Sequence, residues 1–395
     1  MKRIAYVSAD LGVPIFGRKG CSIHAQEVLA ALVRQGFSVD LFSTSTEGTP
    51  PANLERVRVH SLPRPPRGEP AQREQAALSG NNHLRQKLEA SSDYDFVYER
   101  YSLWSYAAME FARDSEIPGL LEVNAPLIEE QAQYRILVDR AGAERVADRA
   151  FVASSALLAV SGEVAAWLQG FSAAHGKVHV VPNGVRPERF PEMLPPSRPA
   201  PAGVFTVGFV GTLKAWHGLS ILVDAFARLH ERFPQTRLLL VGDGPEREKT
   251  AADLFVRGLS EAAVFTGTVG PEEVPQLLAS MDVAVAPYPA IDRFYFSPLK
   301  VYEYMAAGVA VVASKIGQLE DLIQSGVTGI LVPPGEAPAL ALALEQLLRE
   351  PTLRRRLGAE GRKKVLAQHT WDAVIRRIVS LARLDLSIST SYRPL

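Results

Sequence analysis

Residues 294–308 read FYFSPLKVYEYMAAG. The run has helical spacing after a Ser-Pro pair and carries one ammonium, Lys300, and one carboxylate, Glu303. Ser297 suits the N-cap and Pro298 the first turn. The backbone N–H groups of Leu299 and Lys300 then project from the positive end of the helix dipole, where an anion binds, and Lys300 adds a full charge. Glu303 lies one turn further, on nearly the same face. A carboxylate beside an anion site repels the anion unless it serves another part of the same ligand. Paired ribose hydroxyls are such a part. The same residues also suit an N-capped helix with a solvated Lys–Glu pair.

Two more loops have this character. FVGTLKAWHG, 209–218, offers Gly211 and Gly218 for tight turns and Lys214 and His217 as donors. LLLVGDGPER, 238–247, places Gly242, Asp243 and Gly244 before a helix opening at Pro245. In the N-terminal half, GRKGCSIHAQE, 17–27, combines Gly17 and Gly20, which let a backbone approach a ligand, with Arg18, Lys19 and His24. A lone histidine is as readily structural as ligand-binding. VNAPLIEE carries Asn124, Glu129 and Glu130 after a buried strand. VYERYSLWSY, 97–106, sets aromatics beside Glu99 and Arg100. Such a surface could stack a sugar, or form a buried aromatic cluster with a paired arginine. The basic run RRRLGAEGRKK, 354–364, reads as a solvated helix face.

These loops need elements to hold them. RIAYVS, SVDLFS, DFVYERY, GLLEVN, ALLAVS and VHVVP read as strands in the first half; TVGFVG, RLLLVG, AVFTG, DVAVAPY, VAVVAS and GILVP repeat the scheme in the second. Between the first two strands Ala25, Val28, Leu29 and Leu32 line one helical face, which stops at Gly36. Strands alternating with helices imply βαβ units and parallel sheets buried on both faces. The proline-dense FPEMLPPSRPAPAG, 190–203, reads as a linker. The expectation is therefore two doubly wound, Rossmann-like α/β domains, 1–185 and 186–370, facing a cleft. Segment 371–395, helical to about Leu384 and then SISTSYRPL, is expected to pack back on the first. Open α/β sheets bind ligands beyond the carboxyl ends of their strands, where these loops sit.

Composition narrows the classes. At 395 residues the chain exceeds the size at which one core keeps growing. Lys plus Arg equals Asp plus Glu, 43 each, which argues against a general nucleic-acid binder. Cys21 is the single cysteine, so no internal disulfide forms, and no Cys/His cluster has metal-ligand spacing. No segment approaches a membrane span of roughly 20 apolar residues. A cytoplasmic chain with no membrane association is expected.

KGCSIH at 19–24, LLEVNAPLIEE at 120–130, AVSGEV at 159–164, VVPNGV at 180–185, FVGTLKAWHG, VGDGPER and SPLKVYEYMAAG are individually weak motifs, but their order and spacing are specific. Together they resemble the retaining glycosyltransferases of family four, with the GT-B fold. The resemblance implies that the second domain binds a nucleotide-diphosphate sugar and the first a small-molecule or saccharide acceptor. It also implies that no metal or cofactor takes part. Family frequency favours UDP over GDP. By resemblance, Glu303 holds the ribose hydroxyls, the turn of Ser297, Pro298, Leu299 and Lys300 holds the diphosphate, and Tyr295 and Phe296 lie beside the donor. Gly20, Gly211, Thr212, His217 and Gly244 complete the donor side. Lys214, Lys300, His24 and Asn124 are the catalytic candidates; Arg18, Lys19, Arg100 and Glu129 face the acceptor. A front-face substitution, in which the leaving phosphate oxygen takes the acceptor proton, needs no dedicated protein base.

The chain departs from the family pattern in three places. Tyr295 stands where the first of two glutamates usually does. Thr212 and His217 stand where an arginine and a lysine usually meet the diphosphate, and Lys214 is a nearby replacement. Relatives often have a histidine near Asn124. Three other readings compete. A nicotinamide oxidoreductase is the first: GDGPER, 242–247, nearly spells a dinucleotide fingerprint, but Arg247 occupies the third glycine's place and AVFTG ends without an acidic residue. A nucleotide-sugar epimerase would use the same fold. A non-catalytic nucleotide-sugar binding protein would account for Tyr295.

Overall fold

The computed structural model describes residues 2–91 and 93–383. The chain forms two compact units. The first takes in the β1 segment up to Gly17, Cys21–Pro182 and the helix Trp371–Leu381; the second takes in Asn183–Thr370 together with Arg18–Gly20.

The sheet of the first unit is built from β1 (Arg3–Ser8), β2 (Ser38–Ser43), β3 (Arg58–Ser61), β4 (Phe96–Arg100), β5 (Gly119–Val123), β6 (Ala156–Ala159) and β7 (Val178–Val180). Its order is β3-β2-β1-β4-β5-β6-β7, and its pairs are parallel. The second sheet holds β8 (Phe205–Val210), β9 (Thr236–Val241), β10 (Ala263–Phe265), β11 (Val283–Ala286), β12 (Ala310–Ser314) and β13 (Ile330–Val332). Its order, β10-β9-β8-β11-β12-β13, is also parallel. Both sheets reverse their winding once, between β1 and β4 and between β8 and β11. At such a switch point the loops on either side diverge and leave a crevice.

Burial on two faces explains the continuous apolar runs. Val207, Phe209, Leu238, Leu240, Val283 and Val285 pack on one face of the second sheet; Val210, Leu239, Val241, Ala284 and Ala286 pack on the other. The edge strand β3 is absent from the sequence reading, for a physical reason. Its residues, RVHS, are exposed or half-buried, and Val59 itself is exposed, so no apolar run marks it.

The proline-rich stretch is not a free connector. The division falls between Pro182 and Asn183. Phe190 is fully buried in the core of the second unit. Further along, Ser197 N donates to Gln276 O (3.1 Å) and Arg198 N to Ser280 Oγ (3.0 Å). Prolines 191–201 thus run along the surface of the second unit. The helix Trp371–Leu381 packs on the first unit, where Arg34 and Gln35 bind Asp372 (Nη2–Oδ1 2.7 Å; Nε2–O 2.8 Å). The rest of the expected C-terminal segment, 384–395, lies outside the described residues.

Candidate functional site

In the second unit the switch point lies between the ends of β8 and β11. Gly211 leaves β8 with φ +142°, a conformation side chains rarely adopt. The two glycine loops are bonded together: Gly211 N donates to Val241 O (2.9 Å), Leu213 N to Asp243 O (3.0 Å) and Glu246 N to Leu213 O (3.0 Å). A Cβ at Gly244 would lie 2.4 Å from Leu213 O. Gly244 is therefore required for loop-on-loop packing, whatever ligand it meets.

The helix Leu299–Ala306 opens beyond these loops, with Pro298 as N-cap and no capping side chain. This corrects the expected Ser297 cap. Ser297 is engaged elsewhere: its Oγ accepts from Asn183 N (3.3 Å) and its carbonyl from Asn183 Nδ2 (2.7 Å). The first N–H groups of the helix have no intrahelical acceptor. Tyr304 Oη accepts from Val210 N (2.8 Å), fixing the helix to the end of β8.

Lys300 turns back from the first turn into the switch point. Its Nζ lies 4.2 Å from the centroid of the Phe209 ring and 5.6 Å from that of Tyr288. A Cβ at Gly211 would come within 3.0 Å of it. The ammonium is buried and has no hydrogen-bond acceptor among the described residues. Burial pushes its pKa down from 10.5 to about 7.

Glu303, one turn on, is not the partnerless carboxylate the sequence suggested. Its Oε1 accepts from Arg189 Nη1 at 2.8 Å, and this arginine also donates to the Pro271 carbonyl. Oε2 carries no hydrogen bond among the described residues. Thr212 and His217 of the first glycine loop supply little charge. His217 Nδ1 donates to Thr212 O (2.6 Å). Burial first, then Lys300 and Lys214, push the imidazole down to about 3, with the Thr212 bond opposing. It is neutral, with Nε2 as an acceptor. Lys214 lies over the ring of exposed Trp216, 4.5 Å from its centroid. Tyr295 packs its ring on Phe296 (4.4 Å), which meets Phe294 edge-on.

The first unit also buries a charge beside its switch point, and does so differently. Tyr6 of β1 stacks on its register partner Tyr98 of β4 at 5.4 Å. Glu122 of β5 then receives four donors. Tyr98 Oη binds Oε2, while Asn124 Nδ2, Arg100 Nη1 (3.1 Å) and His24 Nε2 (3.2 Å) meet Oε1. Burial alone would raise this carboxyl; His24, Arg100 and Tyr98 outweigh it and hold the pKa at about 2. Arg100 also reaches His24 Nδ1 (3.4 Å). Because a guanidinium only donates, Nδ1 accepts and Nε2 carries the proton. Both ring nitrogens of His24 are thus occupied by protein partners, and its ring stacks on Trp371 (5.1 Å). Glu129 pairs with Arg140 (3.4 Å), outside this network. Arg18, Lys19 and Gly20 are exposed at the start of the helix Gly20–Arg34.

Comparison with known proteins bears on both units. Residues 18–189 match the family described as Glycosyltransferase Family 4, and residues 204–350 match Glycosyl transferases group 1. The chain belongs to the family-four-like glycosyltransferases. It is 28% identical over 392 residues to the D-inositol 3-phosphate glycosyltransferase of Corynebacterium urealyticum, a match covering 92% of this chain and 90% of that one. Other curated relatives are matched over about half of their length. The GT-B fold is shared with sucrose-phosphate synthase of Thermosynechococcus elongatus (TM-score 0.76, 24% identity, 97% and 98% of the two chains). It is shared too with Anabaena HepE in complex with UDP and glucose (TM-score 0.72, 20% identity, 97% and 100%).

Several residues of this glycosyltransferase escaped the sequence reading. Tyr288 ends the DVAVAPY strand, so its place at a switch point was the available signal. Glu122 interrupts the apolar run GLLEV, and a charge inside a buried strand is itself a flag. Arg189 and Trp371 had no local signal, since their partners lie 114 and 347 positions away. Among the described residues no group of three or more His, Cys, Asp or Glu could hold a metal ion, and no helix is long and apolar enough to cross a membrane.

Proposed function

We propose that this glycosyltransferase moves a sugar from a UDP-linked donor to a hydroxyl of a small-molecule or saccharide acceptor, with retention at the anomeric carbon. The observation that carries the reading is Lys300, a buried ammonium with no acceptor among the described residues, held beside Gly211 at a switch point and one turn from Glu303. The choice of UDP draws on HepE, which is described with UDP and glucose. In this reading the diphosphate lies between Lys300 and the open N-terminus of the helix Leu299–Ala306. Glu303 Oε2 accepts from the ribose hydroxyls while Arg189 holds Oε1 in place. The neutral His217 offers Nε2 as an acceptor to a hydroxyl of the donor sugar.

The leaving diphosphate gains negative charge as the glycosidic bond breaks, so a fixed cation stabilises the transition state more than the ground state. A phosphate oxygen of that group takes the acceptor proton on the same face. The reaction then needs neither a protein base nor a cofactor, and Lys300 serves where a metal otherwise would. In the first unit, Arg100 and Asn124, positioned by Glu122, form the polar surface offered to the acceptor.

The test is incubation with UDP-glucose, UDP-N-acetylglucosamine and GDP-mannose, with and without hydroxyl acceptors and in the presence of a chelator. Nucleotide release and the anomeric configuration of the product are read by proton NMR. Acceptor-dependent release of UDP with an α-linked product is expected. A β-linked product removes retention. Acceptor-independent conversion points to an epimerase, and tight binding without turnover to a binding protein.

A further inference from the structure

We propose that donor binding takes up a proton and that Lys300 receives it, so that affinity for the nucleotide sugar falls as pH rises above neutrality. The inference rests on the nucleotide-sugar reading and adds a regulatory consequence to it. Its basis is geometric. The ammonium is enclosed by Phe209 of β8, by Gly211 and by Tyr288 after β11. Ring faces attract a cation, but they neither accept its protons strongly nor neutralise its charge.

Among the described residues no carboxylate offsets it. On the first loop the facing groups are His217, which is neutral, and Lys214, which is itself cationic and lies over Trp216. After β11 the facing group is Tyr288, whose hydroxyl burial keeps protonated. On its own helix, Glu303 is bound to Arg189, and Tyr304 to Val210. A buried ammonium in this setting loses its proton more readily than one in water, and its pKa comes down to about 7. A diphosphate placed against it supplies the missing counter-charge and restores the ordinary preference for the protonated form. Gly211 is the device that admits both, since a side chain there would fill the space in front of Nζ.

Above pH 7 the free protein is mostly deprotonated at this position, and binding must draw a proton from solution. Below pH 7 the proton is already in place. Affinity is therefore flat on the acid side and falls about tenfold per pH unit on the alkaline side.

The test is calorimetric titration of UDP-glucose into the full chain at pH 6 and pH 8, each in two buffers of different ionisation enthalpy. UDP-glucose is the suitable probe because its diphosphate, esterified at both ends, does not titrate in this range. Expected is uptake of about 0.9 proton per ligand bound at pH 8 and about 0.1 at pH 6. Lys300→Met should abolish the uptake and make affinity independent of pH. It should also raise the melting temperature at pH 6, because it removes an unpaired buried charge. Uridine, which lacks phosphates, should bind without uptake. Binding of UDP-glucose with no uptake at pH 8 overturns the proposal while leaving the donor reading intact, as does uptake that survives Lys300→Met. A lower melting temperature in that variant would make Lys300 a structural residue. No binding of UDP-glucose at either pH overturns the donor reading and this inference with it.

Discussion

Both sheets follow the same winding, and each buries a charged side chain beside its single switch point. What surrounds the two charges differs. Glu122 is met by Tyr98, Arg100, Asn124 and His24, so the carboxylate is fully engaged within the first unit. Lys300 is met by two ring faces and a glycine, and no acceptor among the described residues reaches it. Burying a charge is costly in either case. The first unit offsets that cost with its own donors, which makes the Glu122 network a rigid support for the groups at its rim. The second unit leaves it standing, as expected where the compensating charge arrives with a ligand. On one scaffold, then, the two buried charges differ in hydrogen-bond saturation, and the proposed reading makes the saturated one a positioning group and the unsaturated one a binding group.

The comparison breaks most readily at Glu122. Glu122→Ala leaves the Arg100 guanidinium buried without its counter-ion, and a loss of about 3–5 kcal/mol in unfolding free energy is expected. Urea denaturation measures it; an unchanged midpoint would show that the network does not support the fold. The pH dependence has a definite sign. The folded pKa is held below the ordinary carboxylate value of 4.5, so this stabilisation is complete above about 4.5 and is lost as pH falls towards 2.

Lys300→Met should do the reverse, costing function while sparing the fold. Turnover with saturating donor is expected to fall about 100-fold or more, the scale for loss of one preorganised electrostatic donor. Wild-type turnover in this variant would take Lys300 out of the catalytic machinery. The wild-type fold should also gain stability as pH rises from about 7 towards 10.5. In that window the folded state has shed the lysine proton and the unfolded state still holds it.

Glu303 sharpens the contrast, because it is half of each kind, paired through one oxygen and open at the other. In the proposed reading, replacing it with alanine removes ribose hydrogen bonds worth about 1.5–3 kcal/mol, and it also orphans Arg189. Glu303→Gln keeps a carbonyl for Arg189 and should lose less UDP affinity. Titrating UDP into both separates the two roles, and equal affinities in wild type and alanine variant would take Glu303 out of the site. The smallest effect is expected at Lys214, where the sequence alone suggested a cation as important as Lys300. It lies on an exposed indole, an interaction of about 0.5–1 kcal/mol, so Lys214→Ala should change kcat by roughly tenfold or less. A fall matching that of Lys300→Met would make the two lysines equal partners.

The alternation of strands and helices, the two-unit plan and the placing of Lys300 and Glu303 one turn apart on a helix were legible in the chain because each rests on local periodicity. Residues three apart on a helix must share a face, and a run such as VAVVAS must lie in a sheet covered on both sides. Strand β3 was not legible, since an edge strand exposed on both faces carries no apolar signature. Nor was the cap of the Leu299–Ala306 helix. Ser-Pro is a sound local start, but Asn183, more than a hundred positions away, takes both the hydroxyl and the carbonyl of Ser297.

What the sequence determined by itself is therefore the scaffold and the kinds of chemical group at its loop ends. Which of those groups are already spent was decided only by the tertiary structure. His24 looks available in the chain and is engaged at both nitrogens in the fold; Glu303 looks unpartnered and is held by Arg189; Lys300 reads as the charge of an anion site or half of a solvated pair, and its ammonium is buried with no acceptor among the described residues. The physical reason is that hydrogen-bond saturation and desolvation depend on side chains brought together from distant positions. Local spacing can propose a charge, but only its neighbours in space fix whether that charge is satisfied.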